Sequence, residues 1–306
     1  MKNLLYNKDI ISISDLTLEE IHLILEKTAE VKKSKAADTG KKKILASCFF
    51  EPSTRTRLSF EAAMLKIGGQ VIGFSEPSTT SIQKGETLSD SIKVIAKYAD
   101  VIVLRHPKEG AARVAAEASS VPVINAGDGA NQHPTQTLLD LFSIQECQHK
   151  LQDLKIAFAG DLKYGRTVHS LAKAAALFDM RMYFISPESL MLPEEISDEL
   201  RRSAVRYSFH RHIDEVIEKV DILYITRLQK ERYDIFTDKG NVSYCLTKDI
   251  LKKAKKNLRI LHPLPRINEI ALEVDQTPYA YYFQQAENGL YVRQALLSLI
   301  LGGENV

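Results

Sequence analysis

The chain has 306 residues, 44% of them apolar, enough for a sizeable core and for two domains rather than one. Lysine and arginine number 41 against 39 acids, a formal net charge of +2, so the surface as a whole advertises neither nucleic acid nor anionic membrane as a partner. Any anion must therefore be recognised by a local cluster.

Taken along the chain, short apolar runs alternate with amphipathic stretches. Helical periodicity over Leu16–Lys33 precedes a strand at Ile44–Phe50, with the short solvated run Lys41-Lys42-Lys43 just before it. A helix over Arg57–Ile67 leads to a strand at Gln70–Phe74, and a helix over Leu88–Tyr98 to strands at Val101–Leu104 and Val121–Ile124. Asn125–Ala130 reads as a glycine-rich turn. Pro134–Lys150 reads as one long helix, with Pro134 favourable in its first turn. A new series begins with strand Lys155–Ala159, helix Thr167–Phe178 and strands at Met182–Ile185, Arg206–Phe209, Ile222–Ile225 and Arg259–Leu261. The last helix is Gln285–Leu301.

This alternation predicts α/β architecture in two domains, each a mainly parallel sheet flanked by helices, with ligand loops at the carboxyl ends of the strands. The domains are expected at residues 1–132 and 150–284, joined by two long helices, with residues 285–306 packing back on the first. Met1-Lys2-Asn3-Leu4-Leu5 lacks the apolar region of a signal peptide, and no stretch is long enough to span a bilayer. Cys48, Cys147 and Cys245 are far apart and form no CxxC, so neither a disulfide framework nor a zinc site is expected. A reducing cytoplasm fits best.

Chemistry-bearing residues gather at the strand ends. Glu51-Pro52-Ser53-Thr54-Arg55-Thr56-Arg57 joins the first strand to a helix. Free backbone N–H groups and the helix dipole favour an anion there, and hydroxyl and guanidinium groups can bind phosphate oxygens. Helix capping by Ser or Thr is the competing explanation, but two arginines in a first turn oppose the dipole and need another reason. Asn131-Gln132-His133-Pro134-Thr135-Gln136 also opens a helix, where a histidine is biased toward its neutral, donating form, and Gln136 lies on the same face one turn on. Capping with an incidental histidine explains this segment equally well. Arg105 follows the strand at Val101–Leu104. Gly160–Arg166, Thr226–Arg232 and His262-Pro263-Leu264-Pro265-Arg266 each follow a strand as well. The Gly160 loop is not GxGxxG, so a dinucleotide site is a weak reading. One of the two close X-Pro bonds is a candidate for the cis form. No paired carboxylates and no Ser-His-Asp arrangement stand out. These sites suit holding anions and polarising a carbonyl.

Ser53-Thr54-Arg55-Thr56-Arg57 resembles the carbamoyl phosphate signature of the aspartate/ornithine carbamoyltransferase family. Asn131–Leu141, Gly160–His169, Arg227–Arg232 and His262–Arg266 resemble motifs of its aspartate branch, and the resemblance runs in order along essentially the whole chain. Ornithine enzymes carry a cysteine in the last motif, where this chain has Pro263. Arg227 suits a second substrate carboxylate and repels a cationic side chain.

The resemblance implies attack of the L-aspartate α-amine on carbamoyl phosphate, the committed step of pyrimidine biosynthesis, with no cofactor and no metal. By motif position, Ser53, Thr54, Arg55 and Thr56 hold the phosphate. Arg105 bridges phosphate and carbonyl oxygen, and Thr56 and His133 polarise that carbonyl. Gln136 and the backbone carbonyls of Leu264 and Pro265 orient the carbamoyl amide. Arg166 and Arg227 bind the aspartate carboxylates with Gln229, while Glu51 pairs with Arg166 or Arg232 in the closed state. Ser81 and Lys84 would complete the site of a neighbouring subunit, Lys84 toward both substrates, which makes the assembly a homotrimer. A separate regulatory chain is a possible partner. Tyr233–Tyr244 lacks the Pro-x-Glu-Tyr pattern of the family's closure loop.

Overall fold

The protein is described here by a computed structural model, which describes residues 3–34, 38–76, 78, 80–227 and 245–303. The chain divides into two compact units, Met1–Phe142 with Asn288–Val306, and Ser143–Glu287.

In the first unit, helix α1 (Leu18–Lys33) is followed by β1 (Ile44–Phe49), α2 (Thr54–Lys66), β2 (Gln70–Phe74), α3 (Leu88–Ile95), β3 (Val101–His106), α4 (Ala111–Ala118) and β4 (Val123–Asp128). The strands form one parallel sheet in the order β2-β1-β3-β4. Its central strands read as unbroken apolar runs because helices cover both faces. Ala46, Cys48, Ile102, Leu104 and Val123 pack with Ile92 of α3 and with Ala112 and Ala115 of α4. Burial pushes the Cys48 thiol up to about 12, as befits a small core residue. A capping box starts α1: Thr17 accepts from the Glu20 N–H while the Glu20 carboxylate accepts from the Thr17 N–H.

Two boundaries differ instructively from the sequence pattern. Helix α2 starts at Thr54, three residues before the expected Arg57, so Arg55 and Thr56 belong to its first turn. Strand β4 begins at Val123 and continues through Asp128, across the segment expected to be a turn. Leu104 pairs with Asn125 and His106 with Asp128, and buried side-chain hydrogen bonds satisfy these polar residues. Helix α4 and the later α7 (Glu194–Arg202) were not singled out by the sequence pattern.

Helix α5 (Pro134–Gln148) carries the chain from the first unit into the second, and α9 (Tyr282–Leu301) carries it back. The second unit contains β5 (Lys155–Ala159), α6 (Arg166–Ala176), β6 (Arg181–Ile185), α7, β7 (Tyr207–His210), β8 (Ile222–Ile225), α8 (Lys248–Leu251) and β9 (Arg259–Leu261). Its sheet is again parallel, in the order β7-β6-β5-β8-β9. Ala157, Ile185, Leu223, Ile225 and Ile260 pack against Val216, Ile217, Leu251 and Val274 on one face. No helix among the described residues is long and apolar enough to cross a membrane.

Both sheets contain a point where the strand order reverses. In the first it lies between β1 and β3, in the second between β5 and β8. At such a point the connections leave in opposite directions and open a crevice at the carboxyl ends of the two strands. Gly160, directly after β5, makes one crevice possible. It has φ +115°, and a Cβ there would lie 2.3 Å from the Thr226 carbonyl oxygen. Gly160→Ala is expected to destabilise the protein by about 3 kcal/mol through backbone strain and overpacking. Chemical denaturation checks this, and a loss below about 1 kcal/mol would contradict the close approach.

Candidate active site

The β1–β3 switch point brings together much of the first cluster. Register pairs Phe49 with Arg105, and the Phe50 N–H donates to the Arg105 carbonyl at 2.8 Å. The segment Glu51–Ser53 then leads directly into α2. Ser53 is its N-cap in extended conformation but makes no side-chain capping bond, and the first turn contains no acid. That turn carries Arg55 and the buried Thr56 where other helices place a carboxylate against their orphan N–H groups.

The arginines define the electrostatics. Burial, and then the positive charge of Arg105, hold the Arg55 guanidinium below its ordinary value. Two guanidiniums sensing each other's charge at one helix N-terminus make a site for a multiply charged anion. Arg105 Nη2 meets Glu51 Oε1 at 2.6 Å, and its Nη1 donates to the Ala126 carbonyl at 3.4 Å. Glu51 was expected to face Arg166 or Arg232; within its own unit it engages Arg105. Arg57, two residues further along α2, lies 3.9 Å from Glu61 instead.

His133 and Gln136 are presented by the start of α5, and both are buried. The residue that organises this start is Asp128, at the end of β4. Its Oδ1 accepts from Asn125 Nδ2 at 2.9 Å and from the Gln132 N–H at 3.1 Å. Its Oδ2 accepts from the Gly110 N–H at 3.0 Å and from Asn131 Nδ2 at 3.1 Å. Asn125 in turn accepts from the Gly127 N–H and donates to the Ile11 carbonyl. Sequence reasoning missed Asp128 and Asn125, because polar residues in a glycine-rich segment look like an exposed turn. Gln136 Nε2 donates to Asp140 Oδ1 at 2.8 Å. Ser81 and Lys84 lie on a 3-10 turn, Ser81–Lys84, and both are exposed.

The second unit repeats the design at the β5–β8 switch point. Arg166 is the first residue of α6, after the loop from Gly160, and Arg227 lies two residues after the end of β8. The loop is closed by buried Asp161, whose Oδ1 accepts from the Tyr164 N–H at 2.9 Å. Thr226 seals the adjoining strand ends, its N–H donating to the Ala159 carbonyl at 2.9 Å. Gln229 and Arg232 lie outside the described residues.

After β9, the chain is held by a buried histidine–carboxylate pair. His262 Nδ1 accepts from the Leu264 N–H at 2.8 Å, which leaves Nε2–H to donate to Glu269 Oε1 at 2.7 Å. Burial raises the Glu269 carboxyl, but hydrogen bonds from His262 and from backbone N–H groups outweigh it and leave the group below the ordinary carboxylate value. The His262 N–H donates to Gln285 Oε1 at 2.8 Å. Leu264 has φ +52°, and the Leu264–Pro265 bond is cis. Arg266 forks onto Asp275 beside the Tyr282 hydroxyl. The backbone carbonyls of Leu264 and Pro265 are thus presented from a turn braced on both sides. Among the described residues, no group of three or more His, Cys, Asp or Glu side chains could hold a metal ion.

Comparison with known proteins agrees with this geometry. Residues 8–146 match the family model described as the carbamoyl-P binding domain of aspartate/ornithine carbamoyltransferase, and residues 152–300 match its Asp/Orn binding domain. The chain is 57% identical over 298 residues to an aspartate carbamoyltransferase catalytic subunit of Chromobacterium violaceum, covering 97% of this chain and 99% of that one. It is 56% identical over 307 residues to a catalytic subunit 2 of Shewanella halifaxensis, covering 99% of each. Among solved structures, the catalytic subunit of M. jannaschii aspartate transcarbamoylase superimposes with a TM-score of 0.89 at 46% identity, over 98% of this chain and 100% of that one. The Trypanosoma cruzi enzyme in complex with carbamoyl phosphate and aspartate gives 0.89 at 33% identity, over 97% and 98%.

Asp128→Ala is expected to destabilise the protein by about 3 kcal/mol, because it strands several buried donors. Denaturant titration measures this, and a loss under about 1 kcal/mol would show that Asp128 does not hold the loop. On the fold, the paired strand-end clusters and these matches together, the chain belongs to the aspartate/ornithine carbamoyltransferase family.

Proposed function

We propose that this chain transfers the carbamoyl group of carbamoyl phosphate to the α-amine of L-aspartate, giving N-carbamoyl-L-aspartate and phosphate. One observation carries the reading: each sheet places a pair of arginines at its switch point, Arg55 with Arg105 and Arg166 with Arg227. Carbamoyl phosphate is an anion, and aspartate has two carboxylates. Two guanidinium pairs match two polyanionic substrates. Ornithine, with a cationic side chain, would meet repulsion at Arg227.

The division of labour follows from the chemistry of each group. Ser53, Thr54, Arg55 and Thr56 hold the phosphate at the N-terminus of α2. The incoming phosphate competes with the Glu51 carboxylate for Arg105. Thr56, Arg105 and His133 stabilise negative charge that develops on the carbonyl oxygen. Gln136 and the carbonyls of Leu264 and Pro265 accept from the carbamoyl NH2. Arg166, Arg227 and Gln229 bind the two carboxylates of aspartate, which aims its amine at the carbonyl carbon. A C–N bond forms, and the resulting tetrahedral species breaks the C–O bond to phosphate. The proton lost by the amine is taken up by the departing phosphate, a base at neutral pH. No residue forms a covalent intermediate in this scheme.

Ser81 and Lys84 serve the active site of a neighbouring copy, so the working assembly is a homotrimer. Their exposure on a short turn supports that reading. The three cysteines are free, in keeping with work in a reducing cytoplasm. The step belongs to pyrimidine biosynthesis, and a regulatory chain is a candidate partner of the assembly.

Arg55→Ala is expected to lower turnover by about 10³ or more while folding and assembly persist. Steady-state assay with native mass measurement checks both, and near-normal activity would sink the phosphate assignment. Mixing inactive Lys84→Ala and Arg55→Ala enzymes should restore part of the activity, because some hybrid sites draw both intact residues from different chains. Absence of recovery after verified subunit exchange would count against shared sites.

A further inference from the structure

The first unit buries two ionisable side chains that carbamoyl transfer does not itself call upon. Asp140 is fully buried on α5, one turn beyond Gln136, and accepts the Gln136 amide N–H at 2.8 Å. Arg293, on α9, is buried as well. Its guanidinium lies 4.9 Å from the centre of the Phe60 ring, on the helix that carries Arg55, and its Nη1 donates to the Gly289 carbonyl at 3.1 Å. Space for it is made by glycine: a Cβ at Gly289 would lie 2.6 Å from Arg293 Nη1. Burial draws the Arg293 guanidinium down to about 10, and the charge of Asp140 acts in the opposite direction. Ionisable groups are costly to bury, so a role beyond stability is the natural question.

We infer that Asp140 and Arg293 are positioning residues that set which end of the Gln136 amide faces the substrate, and so select a substrate bearing an NH2 group. A carboxylate can only accept hydrogen bonds. Gln136 must therefore turn its NH2 toward Asp140 and its carbonyl oxygen away. That oxygen is an acceptor and pairs with an N–H of the carbamoyl group. A methyl group in the same place would leave it unpaired, the kind of mismatch by which a polar site rejects an analogue. Arg293 is needed because a buried carboxyl without a cation tends to take up a proton. A protonated Asp140 would donate, and the amide could then flip.

The inference rests on the reading that Gln136 meets the carbamoyl amide, and the two fail differently. The readout is the KM for carbamoyl phosphate against the inhibition constant of acetyl phosphate, which has the same phosphate and carbonyl but a methyl in place of NH2. Asp140→Asn, which tolerates either orientation of the amide, is expected to narrow this selectivity by about tenfold, one hydrogen bond's worth of discrimination. Arg293→Met should narrow it similarly, and Arg293→Lys should retain most of it. A purely structural role would lower thermal stability or kcat and leave the ratio alone. Wild-type selectivity in both Asp140→Asn and Arg293→Met, with selectivity lost in Gln136→Ala, overturns the inference and leaves the site reading intact. Full selectivity in Gln136→Ala overturns both. Should Asp140→Asn not fold, the contrast between Arg293→Met and Arg293→Lys decides alone.

Discussion

The parallel pairing of β1 with β3 is the constraint from which the candidate site follows. Its register sets Phe49 opposite Arg105, so the end of one strand delivers a guanidinium beside the turn that opens α2. Because β2 lies on the far side of β1, the order reverses here and the carboxyl ends stand open. Arg55 then sits at a helix N-terminus with a second cation near it, an arrangement at odds with the helix dipole unless an anion is its intended occupant. The β5–β8 pairing repeats the arrangement for Arg166 and Arg227, with Gly160 and Thr226 in close approach where the two strands end. Both sheets thus spend their switch points on pairs of positive charge.

Around these charges stands a buried polar scaffold that does not meet substrate in the proposed scheme. Asp128 gathers the loop before α5 through bonds to both carboxylate oxygens. Asp161 closes the loop before α6, and the His262–Glu269 pair fixes the turn that presents Leu264 and Pro265. Each is a buried carboxylate that accepts from a backbone N–H or from a ring that itself accepts one. The low dielectric of their surroundings makes such bonds rigid and makes their removal costly. Precise placement of Arg105, His133 and Arg166 is what this rigidity provides.

Much of the fold was legible in the sequence, because buried parallel strands are continuous apolar runs and each run here lies between helical patterns. Val101–Leu104 and Ile222–Ile225 could be read directly in this way. Asn125–Asp128 could not, since its polar residues are satisfied by buried partners that the local pattern does not reveal, among them the Ile11 carbonyl for Asn125. The start of α2 was placed late because Ser53 and Thr54 look like caps, whereas the helix already includes Thr54. The arginines and His133 stood out as unusual residue types at helix starts. The Asp128 scaffold and the buried Asp140 and Arg293 did not, because a buried ionisable residue is indistinguishable from a surface one until its neighbours are known. Glu51 was read for an interdomain role, while its contact within the first unit is Arg105.

The measurement that bears most directly on the central claim is identification of the product made from carbamoyl phosphate labelled in its carbonyl carbon. The assembled enzyme would be incubated with aspartate and ornithine together in equal amounts. The account predicts label in N-carbamoyl-aspartate, with phosphate released in equal amount. Label in citrulline instead, or phosphate release without carbamoylation of either amine, would contradict the assignment of Arg166 and Arg227 to a dicarboxylate.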